Sequence, residues 1–116
     1  MQYDFFNDDQ FGVGLVPDEV IGQLTILPLD HAAYFDLSLP HQLVPLSALV
    51  ASRARATGIV NANVYMRRAS QGEMAPRVPI SIQPIKAGKV VVLDGNSTFL
   101  NALFSGWPDI PCKTVD

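Results

Sequence analysis

Residues 90–107, VVVLDGNSTFLNALFSGW, narrow the possible folds more than any other stretch of the chain. Val90 to Leu93 run without a polar interruption, which fits a strand buried on both faces. Asp94 and Gly95 break the run, and Phe99, Leu100, Leu103 and Phe104 then recur at helical spacing until Gly106 stops them. A buried strand that turns straight into an amphipathic helix needs a sheet with helices packed on it. The expected fold is therefore α+β, a small mixed β-sheet with two or three packed helices. At 116 residues there is room for one such core, which buries roughly two-thirds of the surface of the unfolded chain and excludes a two-domain enzyme. Apolar types at 48% and charged types at 16% exclude a disordered chain.

The remaining elements follow from shorter signals. Ile59, Ala62, Tyr65, Met66 and Ala69 predict a helix over 59–71, with Gly72 as its stop. ISIQPI (80–85) alternates as a half-buried strand does, and a turn at Ala87, Gly88 and Lys89 joins it to 90–93 as a hairpin. Leu43, Val44 and Leu46 fit a brief strand around Pro45, after which Ser47 caps a turn holding Leu49 and Val50. IPCKTV (110–115) supplies the last strand. Gly12, Gly14, Pro17, Gly22, Pro28 and Pro40 interrupt every run of the first 40 residues, so short strands and loops are expected there: a strand over 22–29, then one helical turn capped by Asp30. Phe99, Leu103, Val91 and Ile82 should be buried together, with Trp107 plugging one end of the core.

Charge divides the chain into an acidic N-terminal extension, 1–40, packed on a body, 41–116. The extension holds seven acids and no Lys or Arg, whereas the body holds eight bases against four acids, −7 followed by +4. A body of that charge attracts phosphate or another acidic surface, although separately solvated faces would give the same count. The extension could fold back over the basic loop, serve that surface on a neighbouring chain and so make a homo-oligomer, or simply complete the sheet. No stretch is apolar enough to span a bilayer, so no membrane partner is expected, and a single cysteine, Cys112, fits a reducing, cytoplasmic setting. Cys112 reads as a small core hydrophobe, and His31 and His41 have no partner at metal-ligand spacing.

Chemistry concentrates where the buried strand ends. Asp94, the catalytic candidate, suits a metal contact, the orienting of a hydroxyl or simply the holding of the turn, and Gly95, Asn96, Ser97 and Thr98 open a helix whose free N–H groups and dipole favour a phosphate. The same three polar residues are ordinary N-caps, so the local pattern leaves both readings open. In SRARATG (52–58), Arg53 and Arg55 lie two apart, point the same way if extended, and can grip phosphate bidentately. Asn61, close behind, can hydrogen-bond a ligand or cap its helix. Arg67 and Arg68 diverge by about 100 degrees on that helix, and at most one of them could face a site.

The strings QLVPLSALV, SRARATGI, NANVYM, APRVPI and LDGNSTF, in this order, resemble the ParB/sulfiredoxin fold over residues 42–116, closest to the ParB-like nuclease domains of phage and mobile elements. The resemblance covers about two-thirds of the chain and implies a ParB/sulfiredoxin-like domain in which Asp94 to Thr98 line a nucleotide or phosphate site. Two departures stand beside it. Sulfiredoxins carry a catalytic cysteine, His and Arg where this chain has Asn96, Ser97 and Thr98, and ParB proteins carry an acid and two arginines after the glycine. The expectation is a nucleotide- or nucleic-acid-phosphate-binding domain, with a nucleotide and Mg²⁺ as the cofactor to test and nuclease or phosphoryl-transfer activity open. The alternative is a non-catalytic protein–protein interaction module on the same scaffold.

Overall fold

The computed structural model describes residues 1–85 and 87–115; Lys86 and Asp116, counted in the charge balance, lie outside it. The elements are β1 (Gln2–Asn7), β2 (Gln10–Leu15), α1 (Asp18–Ile21), α2 (His31–Tyr34), β3 (Gln42–Pro45), β4 (Leu49–Val50), α3 (Ala56–Ser70), β5 (Ile80–Pro84), β6 (Val90–Asp94), α4 (Asn96–Ser105) and β7 (Asp109–Thr114). Five strands form one mixed sheet in the order β3-β7-β5-β6-β4, with β3 antiparallel to β7, β5 parallel to β7 and antiparallel to β6, and β4 parallel to β6. The fold is thus α+β, with the expected strand, hairpin and helix over residues 80–105.

The run 90–93, expected to be buried on both faces, is so only at Val91 and Val92: Val90 is half-buried and Leu93 is exposed. Val92 joins Ile82, Phe99 and Leu100 in the core, with Leu103 partly buried against it. Val91, expected among them, is buried beside Val50 of β4 and lies outside that cluster, because successive side chains leave opposite faces of a strand. Helix α3 begins three residues earlier than its apolar spacing predicts, since Ala56, Thr57 and Gly58 give its first turn no buried face to be recognised by. Ser47 caps nothing: Leu46–Ala48 form a 3-10 turn whose N-cap position is Pro45. Asp30 occupies the N-cap position of α2 but makes no side-chain cap bond.

Residues 1–40 are built into this core. β1 and β2 form a hairpin whose two turn residues, Asp8 and Asp9, both have positive φ, 48° and 68°. That conformation belongs to the primed turns whose twist matches paired strands. β1 then continues the main sheet past β4, through hydrogen bonds from Phe6 N–H to the Ala51 carbonyl (2.8 Å) and from Ala51 N–H to the Asp4 carbonyl (3.2 Å). Met1, Tyr3 and Phe5 pack against the core, and Val16, Val20, Leu27, Tyr34 and Phe35 belong to it.

The strand expected over 22–29 is absent, because side chains take up its backbone groups. Thr25 N–H donates to Asn63 Oδ1 (3.1 Å) and its carbonyl accepts from Asn63 Nδ2 (2.8 Å). Leu27 N–H donates to Ser105 Oγ (2.9 Å), and the Leu27 carbonyl accepts from Trp107 Nε1 (2.8 Å). The segment is therefore sewn onto α3 and α4 and joins no sheet. Trp107 plugs the core as expected and packs edge-on against His31 and Phe35.

Asn63 and Asn101, both fully buried, centre this stitching. Asn63 Nδ2 also donates to Asn101 Oδ1 (2.8 Å), and Asn101 Nδ2 donates to the carbonyls of Ile59 (3.0 Å) and Ser97 (2.9 Å). Replacing one member by an apolar group strands its partners in a dry interior, at about 1–3 kcal/mol for each group left unpaired. Asn101→Leu is accordingly expected to lower unfolding free energy by roughly 2–4 kcal/mol in urea denaturation. A loss below about 0.5 kcal/mol would show that the pair contributes shape alone.

Candidate functional site

A cleft of about 460 Å³ opens where the N-termini of α3 and α4 meet. Gly58 and Ser97 make the junction: a Cβ on Gly58 would lie 3.0 Å from Ser97 Oγ. The cleft is lined by the candidates read at the strand end and in and just after the basic loop, Arg53, Arg55, Asn61, Asp94, Gly95, Asn96, Ser97 and Thr98. Ala54, Gly58, Ala62, Tyr65 and Arg77 complete it.

The turn into α4 requires its glycine. Gly95 sits at φ 95°, and a Cβ there would come within 2.5 Å of Ile80 Cγ2. Helix α4 can start that close to β5 only without a side chain. No side chain caps α4, nor does one cap α3, whose N-cap position is Arg55. The N-cap alternative for Asn96, Ser97 and Thr98 fails because all three lie within the helix, and for Asn61 because it stands in the second turn of α3.

Asn96 acts as a clasp. Its Oδ1 accepts from Ser52 N–H (2.8 Å), and its Nδ2 donates to Ser52 Oγ (3.1 Å) and to the Val92 carbonyl (3.3 Å). Buried and fully engaged, it fixes the start of the basic loop against the start of α4 and so sets Arg53 and Arg55 beside Ser97. Thr98 is also buried, whereas Ser97 is half-buried and Arg53, Arg55 and Asn61 are exposed.

Along α3, Gly58, Asn61, Ala62 and Tyr65 fall on one face at helical spacing and form a wall of the cleft. The Arg77 guanidinium lies 4.7 Å from the centre of the Tyr65 ring, a cation–π contact. Burial pulls the Arg77 guanidinium below its ordinary pKa, while Tyr65 and Asp94 oppose that shift. The backbone of Arg77 is held from the other side: its N–H donates to the Tyr34 carbonyl (2.8 Å) and its carbonyl accepts from Asp36 N–H (2.8 Å). No residue of 1–40 lines the cleft, yet residues 34–36 position one of its cations.

Among the described residues, Arg53, Arg55 and Arg77 make no ion pair, and Asp94, exposed at the end of β6, is the one carboxylate lining the cleft. Three cations and two uncapped helix starts therefore face a single acid. Arg67 and Arg68 lie outside the cleft. Arg77 and Tyr65 were missed from sequence, although Tyr65 stands four residues after Asn61 on the same helix face. His31 Nε2 pairs with Asp109 Oδ1 at 2.7 Å, away from the cleft. Cys112 is fully buried and its thiol is pushed up to about 12 by burial, which suits a core residue and no nucleophile. No helix among the described residues is long and apolar enough to cross a membrane.

No family model and no curated protein matches the chain. Among solved structures, SbnI with C-terminal truncation from Staphylococcus aureus is similar, with 16% sequence identity and a TM-score of 0.52. The similarity covers 66% of this chain and 30% of that one, so the chain spans less than a third of that neighbour, and what the two share is a fold.

Proposed function

We propose that this chain is a ParB-like domain whose cleft binds the phosphate groups of a nucleotide. The observation that carries the reading is the meeting of two uncapped helix N-termini, at Gly58 and Ser97, with Arg53, Arg55 and Arg77 on the same cleft. Backbone N–H groups at both helix starts supply donors and positive potential, and guanidinium groups add charge-assisted bonds to phosphate oxygens. The ordered strings shared with ParB-like domains and the fold shared with SbnI support the same reading. A walled cleft fits a nucleotide better than a continuous nucleic-acid backbone, which would use an open groove.

Asp94 is the residue on which a catalytic reading rests. A Mg²⁺ entering with a nucleotide would find Asp94 as a protein ligand and would draw its other oxygens from phosphate and water. Phosphoryl transfer or hydrolysis at this site stays a proposal that Asp94→Asn would test by turnover.

Binding itself is tested by melting the protein against a panel of nucleoside mono-, di- and triphosphates, inorganic phosphate and a short oligonucleotide, with and without Mg²⁺. A ligand at a hundred times its Kd stabilises the folded state by about 2.7 kcal/mol, an upward shift of roughly 10 °C for a domain of this size. A nucleotide is expected to produce it. Unchanged melting across the whole panel would reject the proposal.

A further inference from the structure

Strand β2 ends the continued sheet, and its outer edge is bare. Met1 and Val16 exchange both backbone hydrogen bonds, at 2.9 and 2.8 Å. Alternation along an antiparallel pair then places the bonded pairs at Tyr3 with Gly14, Phe5 with Gly12 and Asn7 with Gln10. The N–H and C=O groups of Phe11, Val13 and Leu15 consequently point outward, and among the described residues no strand pairs with them. Their side chains are exposed as well, 54%, 62% and 66%.

Sheet edges of this kind are normally blunted by a charge, a proline or a bulge. The opposite edge of the sheet, β3, is: it is four residues long, ends in Pro45 and follows Pro40. β2, QFGVGL, has none of these devices. Its glycines have a different role, since the rings of Phe5 and Tyr3 lie where a Cβ on Gly12 or Gly14 would fall, at 2.7 and 2.4 Å. The inner face is thereby closed by aromatic side chains while the edge and outer face stay open.

Charge selects the occupant. Asp8 and Asp9 stand at one end of β2, Asp18 and Glu19 just beyond the other, and Asp4 lies across from Val13, with no Lys or Arg anywhere in residues 1–40 and, among the described residues of that segment, the Met1 ammonium the one positive group beside the strand. A second copy pairing antiparallel about Val13 would set Asp8 of one chain beside Asp18 of the other. That repulsion favours a partner of opposite sign.

We propose that the β2 edge docks an extended segment of a basic protein by strand addition, with alternating apolar side chains meeting Phe11, Val13 and Leu15 and Lys or Arg at both ends meeting the flanking acids. The site is separate from the cleft, and neither reading depends on the other.

The test uses the whole chain and a labelled peptide of alternating valine and threonine with two lysines at each end. It should bind saturably at low salt and protect the amide protons of Phe11, Val13 and Leu15 from exchange. A glutamate-ended peptide should bind about tenfold or more weakly, with the gap narrowing as salt rises. Val13→Pro removes only an outward N–H, so it should weaken binding about tenfold or more while the hairpin survives. Asp8→Asn with Asp9→Gly supplies the turn pair that β-hairpins favour while deleting two acids, so the protein should melt no lower and yet bind the lysine peptide severalfold more weakly. Equal affinity for both peptides, or full binding by either variant, would overturn the proposal. Self-association of the wild-type chain that Val13→Pro abolishes would also overturn it and assign the edge to a second copy. Should Val13→Pro fail to fold, the turn variant decides alone.

Discussion

Gly95→Ala is expected to cost roughly 2–5 kcal/mol of stability and to lower the melting temperature by roughly 10–20 °C. Two penalties add. A left-handed backbone costs an L-residue about 1–2 kcal/mol, and an extra methyl forced into a packed contact costs about 1–3 kcal/mol. At Gly95 the first arises from φ 95° and the second from Ile80, whose Cγ2 would sit 2.5 Å from the new carbon. The two are partly separable. Ile80→Ala removes the Cγ2 contact but keeps Cβ, 2.9 Å from the new carbon, so it relieves only part of the clash and leaves the φ penalty, and the double variant should lose less than the sum of the singles by about 0.5 kcal/mol or more. Strict additivity in urea denaturation would show that α4 moves away from β5 to accommodate the methyl. Loss of less than about 0.5 kcal/mol in Gly95→Ala alone would refute the account of the turn.

Arg53→Ala combined with Arg77→Met should weaken binding of the nucleotide that shifts melting most by roughly 10²–10⁴-fold, measured by calorimetry. Each hydrogen bond to a charged group contributes about 1.5–3 kcal/mol, and two are removed. Methionine keeps an apolar stem against Tyr65 and limits the cost to the fold. Arg53 is exposed, and truncating it should change stability by less than about 0.5 kcal/mol. Arg68→Ala provides the comparison, because Arg68 is exposed and lines no part of the cleft. If removing Arg68 weakens binding as much as removing Arg53 and Arg77, the effect is one of net charge and the cleft is not the site.

Much of the body was legible because its signals are local. The uninterrupted run Val90–Leu93, the break at Asp94 and Gly95 and the stripe Phe99, Leu100, Leu103 and Phe104 each follow from residues within one element, and they point to β6, which runs one residue further to Asp94, to its turn and to α4. Every candidate around that turn lines the cleft because a strand that turns directly into a helix leaves its polar residues at one place on the sheet. The hairpin of β1 and β2 had a usable signal as well, Asn7-Asp8-Asp9 between two apolar runs, but the glycines of β2 hid its alternation. They read as breaks in a strand, whereas they are the surfaces on which Phe5 and Tyr3 lie.

What the sequence by itself determined is the set of elements whose apolar spacing repeats within a single strand or helix, together with the polar residues at their ends. Only the tertiary structure decided the rest. The segment 22–29 reads as a strand until Asn63, thirty-eight residues away from Thr25, satisfies its backbone. Asn96 reads as a cap until Ser52, forty-four residues earlier, engages its amide. Arg77 reads as one cation among eight until Tyr34 and Asp36 fix its backbone and Tyr65 receives its guanidinium. In each case the deciding partner is distant in sequence. A buried amide or half-buried cation settles where its hydrogen bonds and charge are met, and no local pattern encodes which distant group will meet them.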